Sequence, residues 1–89
     1  MKENSQNIQK KLNVIAREPF SIYYEGPADV VSAANKVGQF DILPGHADFF
    51  SILESGDIII DNNQTPTIIN VKNGIITVRD NEVMLFLNI

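Results

Sequence analysis

The stretch Gly74-Ile75-Ile76-Thr77-Val78-Arg79-Asp80-Asn81-Glu82-Val83-Met84-Leu85-Phe86-Leu87 decides the fold class. Two runs of β-branched and large apolar residues flank one polar pair, the composition of paired strands. Asp and Asn both tolerate positive φ, so Asp80-Asn81 fits the two-residue turn of a β-hairpin. Side chains alternate along a strand, so Val83, Leu85 and Leu87 share one face while Met84 and Phe86 share the other. Two explanations fit a strand that is apolar on both faces. Either another surface covers the outer face, or a small barrel curls these residues inward at its ends.

Working back toward the N-terminus, the same pattern repeats. Glu18-Pro19, Gly26-Pro27, Gly38, Pro44-Gly45, Ser55-Gly56, Thr65-Pro66 and Asn73-Gly74 break the chain into short runs rich in Val, Ile, Phe and Tyr. Strands are expected over 12–17, 21–25, 28–34, 39–43, 50–53, 57–60, 67–71, 75–79 and 82–87. No segment carries the i, i+3, i+4, i+7 apolar spacing far enough to make a real helix. The chain therefore reads as all-β, a small antiparallel β-sandwich or flattened barrel of about 8–10 short strands. Asn73-Gly74 is a turn signal that also suits a bulge where the chain leaves one sheet for the other. The three isoleucines at 58–60 fill both faces of their strand.

Eighty-nine residues supply one domain with one modest core. Residues 1–11 are polar and read as a disordered lead-in, so the sandwich is expected over 12–89. That lead-in has no apolar segment of the signal-peptide kind, and no stretch approaches the ~20 apolar residues of a membrane-spanning helix. The absence of cysteine excludes disulfides, thiolate metal sites and a thiol nucleophile, and it favours the cytoplasm. The net charge is −4. From Leu12 onward only Arg17, Lys36, Lys72 and Arg79 are basic, against ten acidic side chains. Phosphate backbones and anionic membrane surfaces are bound by clustered Lys and Arg, so neither nucleic acid nor such a surface is an expected partner, and without an apolar span no direct membrane insertion is expected.

Catalytic chemistry is not expected either. His46 is the only histidine. On an extended chain Asp48 shares its face, but Ser51 points the other way, so a triad lacks a local nucleophile. One His and scattered Asp give no metal-ligand spacing, and the glycines are too dispersed to cradle a phosphate. No cofactor is expected. Tyr23 and Tyr24 keep open a rival reading, a free-standing ligand- or carbohydrate-binding sandwich, which needs an exposed aromatic platform with converging polar groups. A small hydrolase would need His46 beside a hydroxyl.

The segment Gly38-Gln39-Phe40-Asp41-Ile42-Leu43-Pro44-Gly45-His46-Ala47 resembles the signature of the ε subunit of bacterial and chloroplast F-type ATP synthases, Gly-Glu-x-Gly-Ile-x-Pro-Gly-His-Ala-Pro. Leu12-Asn13-Val14, Tyr24-Glu25-Gly26, Phe49-Phe50-Ser51-Ile52-Leu53 and Asn73-Gly74-Ile75-Ile76-Thr77-Val78 resemble other parts of that family's N-terminal β domain, in order. Gln39, Asp41, Asp48 and Asn73 depart from its pattern, as do Phe49 and Phe50, which stand where leucines follow the signature.

The resemblance implies a non-catalytic central-stalk subunit at the cytoplasmic face of the bacterial inner membrane. One sandwich face would bind the γ subunit, and the loop would approach the ring of c subunits. Gln39, Asp41, Pro44, Gly45 and His46 are the residues expected at the ring end, and Met84 and Phe86 on the γ-facing surface. The family continues into a C-terminal helical hairpin with inhibitory and nucleotide-binding roles. This sequence ends at Ile89, and no such role is expected of it.

Overall fold

Residues 10–89 are described by a computed structural model. Nine strands follow one another: β1 (Leu12–Glu18), β2 (Ser21–Ala28), β3 (Val30–Asn35), β4 (Gly38–Ile42), β5 (Phe49–Leu53), β6 (Gly56–Asn62), β7 (Thr65–Val71), β8 (Gly74–Arg79) and β9 (Glu82–Leu87). Each corresponds to a strand expected from the sequence. The β8–β9 hairpin pairs from Gly74 opposite Leu87 to Arg79 opposite Glu82. Its turn residues Asp80 and Asn81 have φ of 50° and 65°. Positive φ at both positions is the primed geometry that matches strand twist.

Two strand boundaries differ from those expected. Asn63 and Gln64 have φ of 54° and 63°, which makes the β6–β7 connection a second two-residue hairpin. Thr65-Pro66 does not break the chain there. Pro66 lies inside β7 opposite Asp61, and β7 is an edge strand of its sheet, where a missing N–H is tolerated. Likewise β2 does not stop before Gly26-Pro27 but runs on to Ala28, because β2 is also an edge strand.

The strands form a five-stranded sheet in the order β2-β1-β9-β8-β5 and a four-stranded sheet in the order β4-β3-β6-β7. The antiparallel expectation holds for every pair except one. β1 and β9 run parallel, from Asn13 opposite Glu82 to Arg17 opposite Phe86. A parallel pair needs a long crossover, and here the whole intervening chain serves as one. Lys11, expected in the disordered lead-in, is anchored: its Nζ lies 2.6 Å from Asn62 Oδ1 and 3.3 Å from Asp29 Oδ1. The rest of that lead-in, up to residue 9, lies outside the described residues.

Between the sheets the inward positions of both layers interdigitate. Val14, Ile58, Ile60, Ile76, Leu85 and Leu87 are among the fully buried side chains. Each contributes roughly 1.5–3 kcal/mol relative to exposure. Among the described residues no polar or charged residue is buried in this layer. The isoleucine triplet divides as alternation requires, with Ile58 and Ile60 inward and Ile59 half-buried on the outside. At Asn73-Gly74 the chain does pass from one sheet to the other, but Gly74 takes no left-handed turn. It is buried, and a Cβ there would stand 2.8 Å from the Phe86 carbonyl oxygen. Close approach of backbone, rather than turn geometry, requires glycine at that point.

Candidate docking surfaces

Pro44 fixes φ and Gly45, at φ 86°, occupies the left-handed position. The His46 N–H donates to the Leu43 carbonyl at 3.1 Å, which closes a type II turn. His46 Nδ1 lies 2.8 Å from the Ala47 carbonyl oxygen. Its ring meets Phe49 edge-on at 5.5 Å, and Phe49 meets Phe40 edge-on at 5.2 Å. Aromatic contacts of this geometry favour a fixed arrangement. The Ser51 hydroxyl is engaged with Asn35 Nδ2 at 3.1 Å and with the Ile52 carbonyl. Neither contact involves His46.

Of the five residues expected at the loop end, three stand together: Pro44, Gly45 and His46. Gln39 and Asp41 are exposed on β4, at the edge of the four-stranded sheet. Asp41 accepts a 2.6 Å hydrogen bond from the Ser32 hydroxyl. Gln39 pairs opposite Ala34, close to the β3–β4 turn, which puts it roughly 10 Å along the strand from Ile42. These two residues flank the loop end along an edge and are not part of the turn.

Beside the turn stands a polar cluster. Asp29 Oδ2 accepts the Asn63 N–H at 2.8 Å, and Lys11 reaches both Asn63 Oδ1, at 2.9 Å, and Asp29. The Asn63 N–H is the main cause holding the Asp29 carboxyl below the usual carboxylate range. Burial opposes it, and Lys11 adds to it.

The two outer faces differ. On the five-stranded sheet the register aligns outward side chains into rows. Ile15 lies opposite Met84, Met84 opposite Thr77, and Thr77 opposite Phe50. One step along, Ile22 lies opposite Arg17, Arg17 opposite Phe86, Phe86 opposite Ile75, and Ile75 opposite Ile52. Phe50 and Ile52 are 64% and 66% exposed, while Met84 and Phe86 are exposed at just over a third. On the four-stranded sheet polar pairs occupy much of the outer face, such as Asp57 with Asn70 and Ser32 with Asp41, beside Ile59 and Ile68. Met84 and Phe86, expected on the γ-facing surface, therefore belong to a larger apolar patch. Ile15, Ile22, Phe50, Ile52 and Ile75 were missed, although their own strands carry the same out-of-phase apolar residues.

The tyrosines do not form a platform. Tyr24 is half-buried against the core, and its hydroxyl donates to the Pro27 carbonyl. The Tyr23 hydroxyl donates to the Glu18 carboxylate, which pushes the phenol pKa up. Three shallow depressions adjoin the five-stranded sheet. One is lined by Ile15, Arg17, Met84, Phe86 and Ile89, another by Asp48, Phe50, Arg79 and Met84, and the third by Val37, Phe50 and Ile52. Neither tyrosine borders any of the three.

By architecture this is a two-layer β-sandwich domain that displays an apolar sheet face and a braced Pro-Gly turn. Residues 11–88 match the family described as ATP synthase, Delta/Epsilon chain, beta-sandwich domain, and the chain belongs to that family. It is similar to the ATP synthase epsilon chain of Leptospira borgpetersenii serovar Hardjo-bovis, 36% identical over 75 residues, 84% of this chain and 59% of that one. It is also similar to the ATP synthase epsilon chain of Synechococcus elongatus, 32% identical over 77 residues, 86% of this chain and 56% of that one. The chain thus spans less than two thirds of the length of these curated relatives.

Two solved assemblies contain the same fold. A chain of the Euglena gracilis mitochondrial ATP synthase, resolved as OSCP/F1/c-ring, superposes with a TM-score of 0.81 at 14% identity, covering 98% of this chain and 58% of that chain. A chain of the Tetrahymena thermophila mitochondrial ATP synthase central stalk and c-ring superposes with a TM-score of 0.74 at 16% identity, covering 89% of this chain and 64% of that chain.

Proposed function

We propose that this chain acts as a non-catalytic central-stalk subunit in a proton-translocating F-type ATP synthase. In this reading the outer face of the five-stranded sheet binds γ, and the end bearing Pro44, Gly45 and His46 approaches the c-ring. Gln39 and Asp41 extend the ring end along the β4 edge. The observation that carries the reading is the asymmetry of the two faces: registered apolar rows cross one sheet, and polar pairs occupy much of the other. Contiguous exposed apolar surface marks a docking site. Family membership makes a γ subunit the partner to test.

The work in this reading is mechanical. Four inter-strand gaps of about 4.8 Å make the sheet face roughly 20 Å wide. A stable interface buries about 800 Å² on each partner, more than the apolar rows alone supply, so the adjoining loops belong to the contact. A sandwich fastened to γ on its side and to the ring at its end couples rotation of the two. In this reading the subunit lies at the cytoplasmic face of the bacterial inner membrane, peripheral to the membrane and held there through the complex. Among the described residues no helix is long and apolar enough to cross a membrane. Co-expression with the cognate γ subunit tests the reading. The tagged chain is expected to retain γ through purification, and failure to retain it at low salt sinks the proposal.

A further inference from the structure

We infer that Asn81 is the positioning residue of the Pro44–Gly45–His46 turn, an inference that rests on reading that turn as the ring end. A type II turn satisfies the His46 N–H internally, through Leu43. The Gly45 N–H is left to point out of the turn. It donates to Asn81 Oδ1 at 2.8 Å, across thirty-six positions of sequence. Among the described residues this is the one side-chain hydrogen bond that ties residues 43–48 to another element. The Asn81 main-chain carbonyl meanwhile accepts the Asn13 N–H at 2.8 Å. Three segments therefore meet on one residue: the β4–β5 connection, the β8–β9 hairpin and the start of β1.

The hairpin alone does not explain an asparagine here. Position 81 has φ 65°, and glycine suits the second position of such a turn as well or better. What glycine lacks is the side-chain carbonyl. Asparagine satisfies both demands, adopting the left-handed backbone and supplying an acceptor at the Gly45 N–H. The hydrogen bond removes freedom from an exposed turn before it meets a partner, and a pre-ordered turn loses less entropy on docking. Asn81 need not touch the ring to affect binding.

Two substitutions in the full chain separate this role from hairpin formation. Asn81→Gly keeps the turn and removes the acceptor, whereas Asn81→Asp keeps an acceptor and tolerates the backbone. Amide hydrogen exchange in Asn81→Gly is expected to accelerate at least tenfold at Gly45 and to stay unchanged across β8 and β9. Asn81→Asp is expected to exchange at Gly45 near the wild-type rate. Affinity for a detergent-solubilised complex of cognate γ and c-ring is expected to fall three- to tenfold in Asn81→Gly and to recover in Asn81→Asp. Unchanged Gly45 exchange in Asn81→Gly overturns the inference. Accelerated exchange with full ring affinity supports the bracing role of Asn81 and instead overturns the reading of the turn as the ring end.

Discussion

Ile75 on β8 lies directly opposite Phe86 on β9, on the sheet face turned away from the core. Ile52 continues the row on β5. If this row seats γ, placing a charge in it leaves that charge desolvated and unpaired in the complex. Phe86→Glu is expected to weaken γ binding tenfold or more, about 1.4 kcal/mol. Because the position faces out, folding stability should change by less than about 1 kcal/mol. Ile68→Glu, on the exposed face of the other sheet, serves as the control and should leave γ binding intact. Titration calorimetry or a quantitative pull-down on the two variants makes the comparison. Equal losses in both would show that sheet identity does not matter.

The opposite face of the same strand carries a different expectation. Leu85 lies between Val83 and Leu87 on the inward side of β9 and is fully buried. Leu85→Ala removes buried methyls from the middle of a close-packed layer and leaves a cavity. It is expected to cost about 2–5 kcal/mol, a large share of the stability of so small a domain. Urea unfolding should show a lower midpoint with an unchanged slope.

Two glycines should respond differently to the same change. Gly74→Ala puts a Cβ 2.8 Å from the Phe86 carbonyl, with Leu87 and Leu53 side chains also within 3.4 Å. The oxygen belongs to a ladder and cannot swing aside, so overpacking should cost about 1–3 kcal/mol. At Gly45 nothing stands within 4 Å, but φ is 86°. Gly45→Ala therefore meets conformational strain of about 1–2 kcal/mol without a clash, and it should disturb the turn while sparing the core. Thermal melts together with amide exchange distinguish a global loss from a local one.

These contrasts mark how far the sequence alone could be read. All nine strands were legible, because Gly, Pro, Asn and Asp punctuate runs of β-branched residues. The type II turn at Pro44-Gly45 was legible for the same reason, since the two residues favour it on their own. Gln64 gives no such signal: glutamine is not a residue associated with left-handed backbone, so nothing local marks the two-residue hairpin there. Pro66 and Pro27 passed for breaks because nothing local reveals that a strand lies at a sheet edge. The parallel β1–β9 pair joins residues about seventy positions apart, and no local pattern encodes it. The same limit applies to the docking face. Alternation marked Met84 and Phe86 within one strand, but only the register brings Ile15, Ile75, Ile52 and Phe50 beside them. The partner of Asn81 was hidden for that reason too. Its role in the hairpin is local, and its bond to Gly45 is not.

Asp29 carries the last prediction, which concerns pH. Its carboxylate accepts the Asn63 N–H at 2.8 Å and lies 3.3 Å from Lys11 Nζ. The backbone donor is the chief reason that its pKa is lowered. A carboxyl whose folded pKa lies below its unfolded value stabilises the fold fully above that unfolded value, about 3.9. The contribution disappears as pH falls through the lower, folded value. Asp29→Asn removes this titration, so its stability should fall less steeply than wild type in acid, in urea midpoints measured between about pH 2 and 6. Lys11→Ala should bring the Asp29 titration midpoint only part of the way back, because the Asn63 N–H remains. Carboxyl-carbon NMR reads that midpoint directly. A complete return to the ordinary aspartate value in Lys11→Ala would make the ammonium, rather than the hairpin backbone, the dominant partner.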